Sequence, residues 1–573
     1  MKCSIFIFLM SAAVCPAQMT PLEKATDFTQ LAATYAMNYG PIQWKRDTLG
    51  VDLLNIGDWL TKAMNTRDDL DFYEVCVSYV ASLNDAHDSF TLPVDPVSGF
   101  QAYLGFTVDV YDGKTIIEFI DRKLLSTRDF PFQIGDELVS IDGVATPDLL
   151  QSFIKYSIAA NPLSTRRIAA DSLTFRDQAF MPHAHVIPDV STVVINQQNG
   201  GFQSFSVPWL KTGIPITIVG PVIPPFSSST AQDTAPATSD YEQPLKRLRN
   251  MRVRDQKFIL GFGEIKPVFA LPSNFVVRMG TGLFDSFYTG TYQAQGVRIG
   301  YIRIPSFDPF LSSDDFQTEI NYMQQNTDGL IVDIMRNPGG DGCTAEDLLS
   351  RLIPFQFRTV GLEIRATRRW VVAFQQALQD AQDSGASAII VRQLQNLLDQ
   401  VTAAFLTPSG RTAALPVCST SLDVVSAMDS GGNVIAYSKP MMLLVDELSA
   451  SAADLFAAVI QDNQRGPLFG MRTMGAGGNV NPYSVTTYSE GAATITESLM
   501  HRKNPIVTND FPTAPYVENI GVRPEIVQDY MTLDNLLNKG ATFVQAFTDA
   551  MVKVINSAPA SGTDPVGQRR QLQ

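Results

Sequence analysis

Residues 440–480 read PMMLLVDELSASAADLFAAVIQDNQRGPLFGMRTMGAGGNV. An apolar run, Met441 to Val445, breaks at Asp446-Glu447 and passes through Ser449-Ala450-Ser451-Ala452. Apolar residues then resume at helical spacing: Leu455, Phe456, Val459 and Ile460. The pattern predicts a strand, a tight turn and a helix, with a serine at the turn. Such a serine stands at the carboxyl edge of a sheet, beside the free N–H groups of a helix N-terminus. Those groups can stabilise an oxyanion, so the chemistry suggested is acyl transfer by a nucleophilic serine.

A second stretch has the same form. Leu330-Ile331-Val332-Asp333-Ile334 reads as a buried strand, followed by Arg336-Asn337-Pro338-Gly339-Gly340 and a helix from about Thr344. Glycines there let the backbone approach a substrate carbonyl. Two strand–turn–helix units place both turns on one edge of a parallel sheet, where ligands usually bind. One oxyanion donor is expected from Gly339 or Gly340 and the other from Ala452.

These blocks resemble those of the C-terminal processing (tail-specific) peptidases and the related tricorn core peptidases. The resemblance implies a nucleophile at Ser451. It places the base of a Ser–Lys dyad at position 476, which is Ala476 here and cannot accept a proton. His87, in Leu83-Asn84-Asp85-Ala86-His87, is similar to the segment that carries the catalytic histidine of tricorn-type members. Glu518-Asn519-Ile520-Gly521-Val522-Arg523-Pro524-Glu525 is similar to the block that carries their glutamate. The resemblance therefore implies a Ser451–His87–Glu518 site, in which a neutral imidazole takes the serine proton and the carboxylate orients it. Read without it, Ser449 to Ala452 is an N-cap, the Asn-Pro-Gly-Gly run a turn, His87 a capping or surface histidine, and Glu518 a turn residue or partner of Arg523. Asp454 and Asp462 read as a first-turn helix charge and a structural residue. His183-x-His185 would hold a metal only if a carboxylate converged on it, and no metal or organic cofactor is expected.

The fold class expected is α/β: a ClpP/crotonase-like peptidase core with a parallel-rich sheet, a PDZ-like β domain and an N-terminal helical cap. Met1 to Ala17 reads as a cleavable secretory signal peptide, and Val14 before Cys15 fits a lipobox poorly, so release outside the cytoplasm or into the periplasm is expected. Residues 18–98 form the helical region and 99–222 the PDZ-like domain. Ile134-Gly135-Asp136-Glu137-Leu138-Val139-Ser140-Ile141-Asp142-Gly143 resembles a PDZ hairpin, and strands at Val190–Asn196 and Phe202–Trp209 would complete the module, with 161–185 an insertion or helix. A linker follows at 223–250, the peptidase core at 251–556 and a disordered tail at 557–573. Within the core, Arg368 to Phe405 reads as an amphipathic helical pair. Cys76, Cys343 and Cys418 leave any single disulfide open.

The net charge of −15, with no basic cluster, argues against nucleic acid as partner. No P-loop or strand-linked GxGxxG supports nucleotide binding. The early apolar run is too short for a comfortable membrane span. The function expected is a secreted or periplasmic serine endopeptidase acting on polypeptides, presented by their C-terminal ends if the PDZ-like module captures them. A homo-oligomer is compatible with this reading. The alternative is an inactive member of the fold that binds an apolar ligand, as the similar modules of interphotoreceptor retinoid-binding protein do, or a peptide.

Overall fold

The structure is a computed structural model that describes residues 18–94, 98–220, 261–282, 284–407, 410–416 and 418–558. The expected signal peptide, the linker at 223–250, the core's first residues and the tail from 559 lie outside the described residues.

The peptidase core is built on one seven-stranded sheet. Its strands are β1 (Val276–Met279), β2 (Tyr288–Ala294), β3 (Val297–Arg303), β4 (Gly329–Asp333), β5 (Met441–Val445), β6 (Leu468–Gly470) and β7 (Ile526–Val527), and they neighbour one another in chain order. The β1–β2 and β2–β3 pairs are antiparallel, and every pair from β3 to β7 is parallel. Parallel strands are covered on both faces, which explains why β4 and β5 read as unbroken apolar runs and are buried throughout. Alternate residues serve opposite layers. Leu330, Val332, Leu443 and Val445 pack with helices Gly342–Ser350 and Ala452–Asp462, whereas Ile331, Met442 and Leu444 pack on Phe543, Phe547 and Met551 of helix Ala541–Ser557. That last helix runs through Ser557, so ordered structure extends just past the expected start of the tail.

The N-terminal region contains the helices Pro21–Asn38, Ile42–Leu49, Gly57–Met64 and Asp69–Ala81. It is not purely helical. Ser89–Thr91 forms a strand antiparallel to Ala492–Thr496, with Ser89 opposite Thr494. Asp27 in the first helix also accepts backbone N–H groups from Thr487, Tyr488 and Ser489. The cap is therefore stitched into the peptidase core by pairings across about four hundred residues.

The PDZ domain carries a sheet of Phe106–Tyr111, Lys114–Ile120, Glu137–Ile141, Val190–Gln197 and Gly201–Pro208, with helices Thr146–Phe153 and Pro162–Thr174. Arg368–Asp383 and Ala388–Phe405 form the expected helical pair. Cys343 and Cys418 form a disulfide across a separation of 75 residues, and Cys76 is buried and free. Among the described residues no helix is long and apolar enough to cross a membrane.

Candidate active site

The turns after β4 and β5 are zipped together at the sheet's carboxyl edge. Asp446 Oδ1 accepts the Arg336 N–H at 2.7 Å, Ser449 Oγ donates to the Ile334 carbonyl at 2.8 Å, and the Ala450 N–H donates to the Asn337 carbonyl at 2.9 Å. Ser451 sits at the tip with φ +57° and ψ −115°, a left-handed conformation that a residue with a Cβ adopts only where its surroundings impose it. Asp454 imposes it. Its carboxylate accepts the N–H groups of Ser451, Gly475 and Ala476 at 2.9 to 3.0 Å and the Thr473 hydroxyl, tying the serine turn to the 473–477 loop. Burial still pushes this carboxyl up to about 6 against those donors. The sequence reading as a helix charge understates Asp454, which is the hub of the turn.

The glycines divide their work. The Gly339 N–H is taken by Asn337 Oδ1 at 2.7 Å, and a Cβ on Gly339 would lie 2.6 Å from both the Ala450 oxygen and the Ser451 Cβ. Gly339 therefore makes room for the serine. Phe307 bonds the Gly339 oxygen and the Asp341 N–H on either side of Gly340, leaving the Gly340 N–H outside that pairing. Ala452 is the first residue of its helix, where the N–H has no intrahelical acceptor. Among the residues of these two turns, Gly340 and Ala452 thus keep N–H groups outside the pairings described.

His87 is buried and lines the same cavity as Ser451. Asp85 Oδ1 accepts the His87 backbone N–H at 3.0 Å, and the Thr494 hydroxyl donates to its carbonyl at 2.6 Å. Burial lowers the imidazole pKa, Lys45 lowers it further, and Asp85 opposes both. A neutral ring is what a general base requires.

Glu518 is close by, but it does not hold the ring. Its Oε2 accepts the Gly477 N–H at 2.9 Å, and its Oε1 is paired with Lys45 Nζ; the His87 Nδ1 is buried without a hydrogen-bond partner among the described residues. The direct Glu518–His87 contact expected of a triad is therefore absent, because a buried lysine occupies the carboxylate. Lys45 Nζ also donates to the Asn84 carbonyl at 2.9 Å and to Asn519 Oδ1 at 2.7 Å. Three acceptors thus engage its three donor positions and fix its place beneath the His87 loop. Burial and the nearby Asp85 raise the Glu518 pKa against the pull of Lys45. Sequence reasoning missed Lys45, since nothing local marks a cation in helix Ile42–Leu49 as buried. Asp88 was also missed: its Oδ1 accepts the Thr496 N–H at 2.9 Å, its Oδ2 is buried without a partner among the described residues, and burial holds its carboxyl well above its ordinary range.

Two cavities meet at Ser451. One, of about 230 Å³, holds His87 and Ala476 and is walled by Val77, Phe90, Ala159, Ile168, Phe262 and Met474. The other, of about 360 Å³, holds Gly340 and Ala452 and is walled by Glu346, Arg369, Trp370, Asn481 and Glu497, with the Cys343–Cys418 disulfide beside them. The remaining histidines lie elsewhere. His183 does meet carboxylates, Asp68 and Asp71, but Arg67 already pairs with Asp71. His185 bonds Gln178, and His501 faces Glu363.

Residues 298–510 match Peptidase family S41, and residues 100–214 match a PDZ domain. A Chlamydia pneumoniae protein is 24% identical over 595 aligned residues, covering 94% of this chain and 91% of its own length. The crystal structure of mature CPAF superposes with a TM-score of 0.74 at 22% identity, covering 95% of this chain and 99% of that one. Its complex with lactacystin gives 0.73 at 21% identity, covering 94% and 99%. At such identities the likeness establishes the fold. With the family match, residues 298–510 form a Peptidase family S41 domain with a PDZ domain ahead of it at 100–214, and the chain is a serine peptidase.

Proposed function

We propose that this protein is a secreted or periplasmic endopeptidase that cleaves polypeptides through an acyl-enzyme on Ser451, with His87 as the base. The observation that carries the reading is a serine held at φ +57° between two open amides, sharing a cavity with a buried imidazole whose pKa is lowered. His87 takes the Ser451 proton as Oγ attacks the scissile carbonyl, Gly340 and Ala452 N–H groups receive the oxyanion, and His87 returns the proton to the leaving nitrogen. Water then resolves the ester. Glu518 acts at one remove: it holds Lys45, which holds the Asn84 carbonyl at the start of the His87 loop. Asp85, bonded to the His87 N–H, offsets the imidazolium charge.

The PDZ domain supports a polypeptide substrate, captured as an added strand or by its C-terminal end. Release into an oxidising compartment is supported by the Cys343–Cys418 bridge and by the apolar N-terminal run. The test is labelling with a fluorophosphonate. Wild type should label strongly and Ser451→Ala not at all, with His87→Ala slowing labelling drastically. Lactacystin, the ligand in the CPAF complex, is a second probe of the same serine. Folded wild type that neither labels nor cleaves would turn the reading to a ligand or peptide binder.

A further inference from the structure

The cavity on the oxyanion side of Ser451 contains a buried carboxyl group with no salt-bridge partner among the described residues. Glu346 projects from helix Gly342–Ser350, four residues after its N-cap Asp341 gives way to helix, and it is only 9% exposed. No cation is paired with it among the described residues, and burial raises its carboxyl pKa, with Thr359 pulling weakly the other way. The other ionic groups there are already engaged. Arg369 donates to Asn481 Oδ1 at 2.7 Å and faces Glu497 Oε1 at 3.8 Å. Asp341 caps its own helix by accepting from Thr344 at 2.7 Å. With Arg369 set against Glu497, the cavity keeps the carboxyl groups of Glu346 and Asp341 and, among the described residues, no unpaired cation.

A buried carboxylate without a counter-charge is costly, and folds retain one where a ligand supplies the missing partner. The cavity opens directly on Ser451, Gly340 and Ala452, so what fills it is joined to the carbonyl under attack. We propose that Glu346 is a specificity residue that pairs with a lysine or arginine side chain of the substrate next to the scissile bond. The inference rests on the peptidase reading and adds to it a substrate class: polypeptides cut beside a basic residue. Arg369, tied to Asn481 and Glu497, walls the cavity without neutralising Glu346.

The experiment compares peptides that differ only in lysine against norleucine, which keeps the chain length and removes the charge. Wild type should cleave the lysine peptide with a kcat/KM at least about tenfold higher. Glu346→Gln should bring the two peptides level, the lysine preference disappearing from kcat/KM. In parallel, fluorescent forms of both peptides are titrated against Ser451→Ala and against Ser451→Ala/Glu346→Gln, where no turnover is needed. Tighter binding of the lysine peptide that vanishes in the double variant upholds the inference even if wild type fails to cleave, in which case the peptidase reading alone falls. Ser451-dependent cleavage without a lysine preference, or a preference that survives Glu346→Gln, overturns the inference and leaves the peptidase reading intact.

Discussion

The two cavities that meet at Ser451 are built by different parts of the chain. The one that holds His87 is walled largely by imported residues: Val77 and Phe90 from the N-terminal cap, and Ala159 and Ile168 from the helical part of the PDZ region. The one that holds Gly340 and Ala452 comes wholly from the peptidase core and its helical pair. In the proposed mechanism the nucleophile and its oxyanion donors thus belong to one parallel sheet, whereas the base arrives with the domains in front of it.

The largest way to break this division is at the chemistry itself. Ser451→Ala and His87→Ala should each lower kcat/KM by about 10⁴-fold or more in a peptide assay, although one residue belongs to the core and the other to the cap. Gly339→Ala tests the core side alone. A methyl group 2.6 Å from the Ser451 Cβ, at a φ of +91°, must displace the nucleophile, and a loss of about 10² to 10³-fold in kcat is expected, with substrate binding largely kept.

The link between the two halves is tested at Lys45. Lys45→Met leaves Glu518 buried without its cation and should cost about 3–5 kcal/mol of stability, read as a fall in the chemical denaturation midpoint. Lys45→Met/Glu518→Gln should recover much of that loss. If the single variant is as stable as wild type, the pair is not what holds the halves together.

Smaller effects sharpen the contrast. Ile168→Trp fills only the cavity that holds His87, so KM should rise about tenfold while the lysine-to-norleucine ratio stays put. The pH profile reads the cap side. Burial and Lys45 favour the neutral imidazole, so the acid limb of kcat/KM should fall below the ordinary 6.5 of histidine. Replacing Asp85 with asparagine removes a charge that raises the His87 pKa and should move the limb lower still. A limb above 6.5 in wild type would mean that another group governs it.

What was legible in the sequence lies within single segments. The runs at 330–334 and 441–445 are buried strands because parallel pairing covers both faces, and the glycine and serine turns follow them directly. The PDZ hairpin was legible for the same reason, its turn marked by Asp142 and Gly143. What escaped depends on partners far along the chain. Ser89–Thr91 becomes a strand only because Ala492–Thr496 offers an edge, so a run ending a helical region gave no warning of it. Lys45 reads as an ordinary surface cation until Glu518 and Asn519 close over it. Asp454 looks like a first-turn charge, and only the 473–477 loop makes it a hub. The disulfide was one of three pairings until the fold brought Cys343 and Cys418 to a Cα separation of 5.0 Å.

The strand at Ser89–Thr91 also sets a clock. The loop that carries His87 is fixed by Thr494 and Thr496, and the lysine beneath it by Glu518 and Asn519. A growing chain emerges with His87 early and Ser451 late, yet the residues that join them come later still. Until nearly the whole polypeptide has been made and folded, base and nucleophile belong to separate parts of an unfinished molecule. The two halves of the proposed site are therefore joined only once residues beyond Ser451 have folded.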